Sequence, residues 1–146
     1  MQALGWQQYY DDKNPPLVVL PAAMNLSRLI AHLKKSLNID AVKYIGEPNL
    51  SCTKIVVSPG AGGGVKHISW IEKYQPDVFV CGELNEWETS EYVRDARYQG
   101  RQIALVDLGH LVSEEPGMQW LIHVLQQKAP GIQATHVPSG EAFSWA

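Results

Sequence analysis

The stretch Asp77-Val78-Phe79-Val80-Cys81, followed by Gly82-Glu83-Leu84-Asn85-Glu86, decides the fold class. Its apolar residues run without a polar break. Such a run suits a parallel strand covered on both faces. The same unit recurs on either side of it. Upstream, Lys54 to Val57 reads as a strand leading into Ser58-Pro59-Gly60-Ala61-Gly62-Gly63-Gly64. A helix then runs from near Val65 towards Tyr74 and carries Ile68, Trp70 and Ile71. Downstream, a helix through Tyr92, Val93 and Ala96 ends at Gly100, and Ile103 to Val106 is the next strand. Strands separated by single helices point to an α/β fold, with a largely parallel or mixed sheet flanked by helices.

The outer segments are read from the same signals. Leu17 to Leu20 is a short apolar run that Pro21 ends. Asn25 or Ser27 caps a helix whose Leu29, Ile30, Leu33 and Leu37 share one face, and it stops near Asn38. Ala41 to Ile45 is a strand closed by the turn cluster Gly46-Glu47-Pro48-Asn49. At the other end, Met118, Leu121, Ile122 and Leu125 fall at helical spacing. Ser113 is the expected cap there, Pro116 lies in the first turn, and the helix ends near Lys128. A last short strand is expected over Gln133 to Val137. Trp70 and Trp120 fit helix-packing roles. Residues 1–16 read as an irregular, Pro-ended arm whose Trp6, Tyr9 and Tyr10 suit packing on a neighbour. Residues 17–146 read as one domain. An opening of this kind leads us to expect a partner segment on the N-terminal side.

Composition narrows the function classes. With 146 residues, 45% of them hydrophobic, the chain has enough apolar surface for one real core and is not disordered. A formal net charge of −3 without a Lys/Arg run offers no nucleic-acid surface. No apolar run approaches the roughly 18 residues that cross a bilayer. The N-terminus lacks the charged and apolar regions of a signal peptide, so a cytoplasmic protein is expected. Cys52 and Cys81 form no metal-type spacing and read as reduced, partly buried thiols.

Chemistry gathers at three successive strand ends, where open α/β sheets bind their ligands. The first end carries Gly60, Gly62 and Gly63, a loop whose N–H groups could face an anion at a helix N-terminus. Its spacing is neither a dinucleotide-binding fingerprint nor a phosphate-binding P-loop. A turn needing positive φ explains it equally well. The second end carries Glu83 and Glu86, suited to general-base work or to the dipole of the helix they open. The third carries Asp107, His110 and Glu114. An imidazole and a carboxylate four residues apart suit a divalent metal such as zinc or manganese. Gathered in one cleft, these groups suit a divalent cation and an anionic or carbonyl-bearing substrate. Trp87 lies near that cleft, where it could pack or stack on a ring.

Four segments carry a family resemblance. They are Ile55 to Gly63, Asp77 to Leu84, Ala96-Arg97-Tyr98-Gln99-Gly100, and Leu105-Val106-Asp107-Leu108-Gly109-His110-Leu111-Val112-Ser113-Glu114. Together they resemble the C-terminal half of NIF3-like proteins, the GTP cyclohydrolase I type 2 family. Gly82, Glu83 and Glu86 match the Gly-Glu-x-x-Glu form of one branch. The resemblance implies a NIF3-like fold with a dinuclear metal site (zinc, manganese or iron) in which His110 and Glu114 are ligands. It also implies a ring-shaped homohexamer, a nucleotide or other small-molecule ligand, and a metal-dependent hydrolase acting on GTP or a related compound. Family chains are longer, and their N-terminal half brings a His-His-Pro motif and an Asp that complete the metal site. This sequence has no His-His pair. The alternative function is therefore a non-catalytic binding or assembly module of the same fold that has lost the complete metal site.

Overall fold

In the computed structural model, which describes residues 1–11, 13–14, 16–140 and 142, five strands form one mixed sheet. They are β1 (Leu17–Asn25), β2 (Lys43–Ile45), β3 (Ser51–Ala61), β4 (Val78–Glu83) and β5 (Ala104–Asp107). Their spatial order is β1-β3-β4-β5-β2. The central three are parallel, as the unbroken apolar run of β4 requires, and both edge strands are antiparallel. The four α-helices are α1 (Leu26–Leu37), α2 (Gly64–Tyr74), α3 (Glu91–Tyr98) and α4 (His110–Lys128). Among the described residues, no helix is long and apolar enough to cross a membrane.

Strand periodicity sorts the core onto two faces. Ile55, Val78, Val80, Ala104 and Val106 point to one side, where they meet Leu26, Leu29 and Leu33 of α1. Val56, Phe79, Cys81 and Leu105 point to the other, against Ile71 and Tyr74 of α2 and Val93 of α3. Both crossover helices lie on this second face because the chain steps the same way each time, from β3 to β4 to β5. The N-terminal arm joins the first core. Its two short 3₁₀ turns, Gln2–Leu4 and Gln7–Tyr9, bury Leu4 and Trp6. Trp6 stacks on His32 of α1 at 5.3 Å, so this aromatic packs on its own domain rather than on a neighbour.

Several local expectations are corrected. Pro21 does not end β1. The strand passes through it because β1 is an edge and its pairing with β3 shifts register between Val19 and Met24. Asn25 is the cap of α1, accepting the Arg28 N–H at 2.9 Å, and Asn38 closes the helix at φ 54°. Ser113 is not a cap: α4 starts at His110 after Gly109, and Pro116 lies inside it. The expected strand at 133–137 does not form. That segment carries no regular structure, and His136 lies 2.8 Å from Glu115 of α4. The apolar residues of α4 are the largest departure. The helix contains no buried residue, and Met118, Trp120 and Leu121 are exposed. Both cysteines are free and buried.

Candidate functional site

Near the carboxyl ends of the parallel strands, Ser58 lies beside Cys81 beside Asp107, with Lys43 of β2 completing the row. Just past this row the chain brings three of the sequence-derived site residues together. His110 opens α4 immediately after Gly109, whose φ of 94° favours glycine. Its Nδ1 lies 2.7 Å from Glu83 Oε2 at the end of β4. Its Nε2 lies 2.9 Å from Glu114 Oε2, one helical turn along α4. The imidazole side chain is 44% exposed, so the cluster faces solvent. Hydrogen bonds that the ring donates first to Glu83 and then to Glu114 hold the His110 pKa above its ordinary value.

Glu86 is placed elsewhere. It pairs with Lys43 at 2.8 Å, and that ammonium holds its carboxyl below the usual range. The pair lines an open cleft of roughly 660 Å³ with Tyr44, Trp87 and Asp107. Trp87, 73% exposed on a single π-helical turn (Glu86–Ser90), neither packs in the core nor stacks on another described aromatic ring. Asp107 sits between the cleft and the His110 cluster. Burial raises its pKa, partly countered by the Gly109 N–H it accepts at 3.2 Å.

The Gly-rich loop is shaped by its neighbours. Gly60, at φ 72°, donates its N–H to Ser113 Oγ at 2.9 Å, and Gly62 donates to the Gly60 carbonyl at 2.9 Å. A side chain on Gly60 would overlap the Glu114 carboxylate, and one on Gly64 would come within 2.8 Å of Glu88 Oε2. Carboxylates thus stand where the missing side chains would be, an arrangement that repels an anion and suits a cation. Gly63, at φ 130°, faces Asn85. Among the described residues, no three His, Cys, Asp or Glu side chains form a set that would hold a metal ion unaided. The reason lies in the imidazole: its two nitrogens point to opposite edges, each towards a different carboxylate, so the three groups share no common centre.

Two features were not found from sequence. Ser113 is not the cap its position suggests; its hydroxyl joins α4 to the Gly60 loop. His67 showed no partner spacing, yet it is fully buried beneath the same loop. Its ring lies 3.2 Å from Ser58 Oγ and 3.3 Å from Thr89 Oγ1 and packs edge-on against Phe79 at 4.9 Å. Burial, then the nearby Lys66 ammonium, lowers its pKa to about 4. A side chain on Gly62 would overlap this imidazole. The only sequence signal is a His three residues past a glycine run, which many solvent-facing helices share.

Comparisons with known proteins agree on one family. A model of Duf34/NIF3 (NGG1p interacting factor 3) matches residues 10–140. A GTP cyclohydrolase 1 type 2 homolog of Staphylococcus aureus is 30% identical over 87 residues, 60% of this chain and 22% of that protein. A homolog of the same description from Campylobacter jejuni is 26% identical over 113 residues, 77% of this chain and 42% of its own. Among solved structures, a Bacillus cereus protein related to NIF3 superposes with a TM-score of 0.71 at 24% identity, covering 89% of this chain and 35% of that one. The chain therefore spans less than half the length of the relatives it matches, and the NIF3-like α/β fold is shared.

Proposed function

Because the chain belongs to the Duf34/NIF3 (NGG1p interacting factor 3) family, we propose that its working site is the rim formed by Glu83, His110 and Glu114, with a divalent cation held by His110 Nε2 and Glu114. The observation that carries this reading is the pair of hydrogen bonds on opposite edges of one solvent-facing imidazole, at 2.7 and 2.9 Å. A cation takes one ring nitrogen, and the other then donates its N–H to an orienting carboxylate. Glu114, one turn along the same helix, is the ligand beside Nε2, and Glu83 is the carboxylate that fixes Nδ1–H. A bound cation would supply Lewis acidity at a carbonyl or phosphoryl oxygen. Glu86, paired with Lys43 across the neighbouring cleft, serves substrate contact better than proton transfer. The substrate class is GTP or a related compound, in keeping with the names of the relatives.

Two protein ligands hold a metal weakly, so further ligands come from a second chain or from water. That requirement supports a homo-oligomer, and one observation favours a second reading alongside it. The exposed Met118, Trp120 and Leu121 of α4 suit an assembly module. One experiment separates the two. GTP turnover is measured with zinc or manganese added, in wild type and in His110→Ala. Metal-dependent turnover lost in the variant supports the hydrolase. Metal-independent assembly without turnover supports the module.

A further inference from the structure

The Ser113 side chain joins two of the strand-end segments of the site and lies against Gly82 of the third. Its hydroxyl accepts the Gly60 N–H at 2.9 Å and donates to the His110 carbonyl at 2.7 Å. A hydroxyl has one proton to give and lone pairs to receive, so both bonds coexist. The bond to Gly60 is made where the ladder between β3 and β4 fails. Pairing shifts register between Ser58 and Ala61, and the serine hydroxyl takes the N–H in that gap. At Gly82 of β4, any side chain would overlap Ser113 Oγ and come within 2.6 Å of the Gly60 nitrogen. Residue 82 must therefore be glycine for the serine to reach β3.

We propose that Ser113 is a positioning residue: it pins the first turn of α4 to the bulged end of β3, and so sets His110 and Glu114 in register with Glu83. Without the pin, the start of α4 keeps partly buried Val112 against the core, the Leu108 N–H on the Cys81 carbonyl just before it, and the solvent-exposed bond from His110 to Glu83. The strength of any His110 and Glu114 cation site then depends on a hydroxyl that touches neither the cation nor the substrate. In its metal arm, this inference rests on the function proposed above.

The test uses the full chain and needs no substrate. Amide exchange of Gly60 is measured in wild type, and Gly60 exchange, His110 ring ¹⁵N shifts and Co²⁺ titration are compared in Ser113→Ala. In wild type the Gly60 amide is protected like a sheet amide. In Ser113→Ala it exchanges at least about tenfold faster, the ring ¹⁵N shifts lose the signature of an imidazole hydrogen-bonded at both nitrogens, and Co²⁺ binds about tenfold more weakly, as loss of a group that orients a metal ligand does. An unprotected Gly60 amide in wild type overturns the proposal whether or not the variant folds. A variant with fast Gly60 exchange but unchanged ring shifts and Co²⁺ affinity also overturns it, because the serine then merely braces the fold. If wild type takes up no Co²⁺, the metal reading falls, and the ring shifts alone decide the role of Ser113.

Discussion

Lowering the pH from 7 to 4 should destabilise this protein in large part through His67. The ring is fully buried and hydrogen-bonds only neutral hydroxyls, those of Ser58 and Thr89, and the nearby Glu88 carboxylate offsets only part of the cost of burial and of the Lys66 ammonium. Its folded pKa is about 4, whereas a free imidazole titrates near 6.5. Between those values the unfolded chain holds the extra proton and the folded chain does not. The stabilisation is therefore fully present above about pH 6.5 and is lost as pH falls through the folded pKa. Each pH unit of separation corresponds to about 1.4 kcal/mol, so the total loss by pH 4 is about 3 kcal/mol, a large share of the 5–15 kcal/mol typical of a domain. Urea denaturation of wild type and His67→Gln at pH 7, 6, 5 and 4.5 isolates the effect, since the carboxylates common to both proteins cancel in the difference. The variant should start less stable at pH 7, and the two curves should converge on acidification. Parallel curves, or a His67 ring titrating near 6.5 by NMR, would refute the reasoning.

Other consequences can be checked with single variants. Asn25→Ala removes the side-chain cap of α1 and should cost about 1 kcal/mol, seen as a thermal midpoint lower by about 2–4 °C. Phe79→Ala empties the centre of the second core and should cost about 3–5 kcal/mol in urea. Gly62→Ala forces a methyl group into the His67 imidazole, and a melt should show a loss greater than the same change at open Gly117 causes. Burial raises the thiol pKa of Cys52 to about 11 and raises that of Cys81 further, so neither should react with a thiol reagent at pH 7 until the protein unfolds.

The sheet was legible in the sequence because its central strands leave a simple record. Val78 to Val80 is covered on both faces, so no polar residue interrupts it, and the parallel core follows. The edges were less legible. Pro21 looked like a strand breaker, but an edge strand lets its missing N–H face away from the ladder. Ala41 to Ile45 shortened to Lys43–Ile45 for want of a second neighbour. The apolar spacing of Met118, Leu121, Ile122 and Leu125 marks the helix, but Trp120, expected to pack, is exposed. Periodicity reports a face, and what covers that face lies beyond it. Within the site, the strand-end rule placed His110, Glu114 and Glu83 together. Spacing could not show that Glu86 would turn to Lys43, 43 positions earlier in the chain. Nor could it show Ser113 reaching Gly60, because a serine near a helix start reads as a cap wherever its hydroxyl points.

The central claim is that His110 and Glu114 form a cation site oriented by Glu83, and zinc titration followed by calorimetry tests it most directly. Wild type should bind at least one ion per chain. His110→Ala and Glu114→Gln should abolish that binding, and Glu83→Gln should weaken it about 10- to 100-fold without abolishing it. Wild type that binds no zinc, or binding untouched by the His110 and Glu114 changes, would contradict the account.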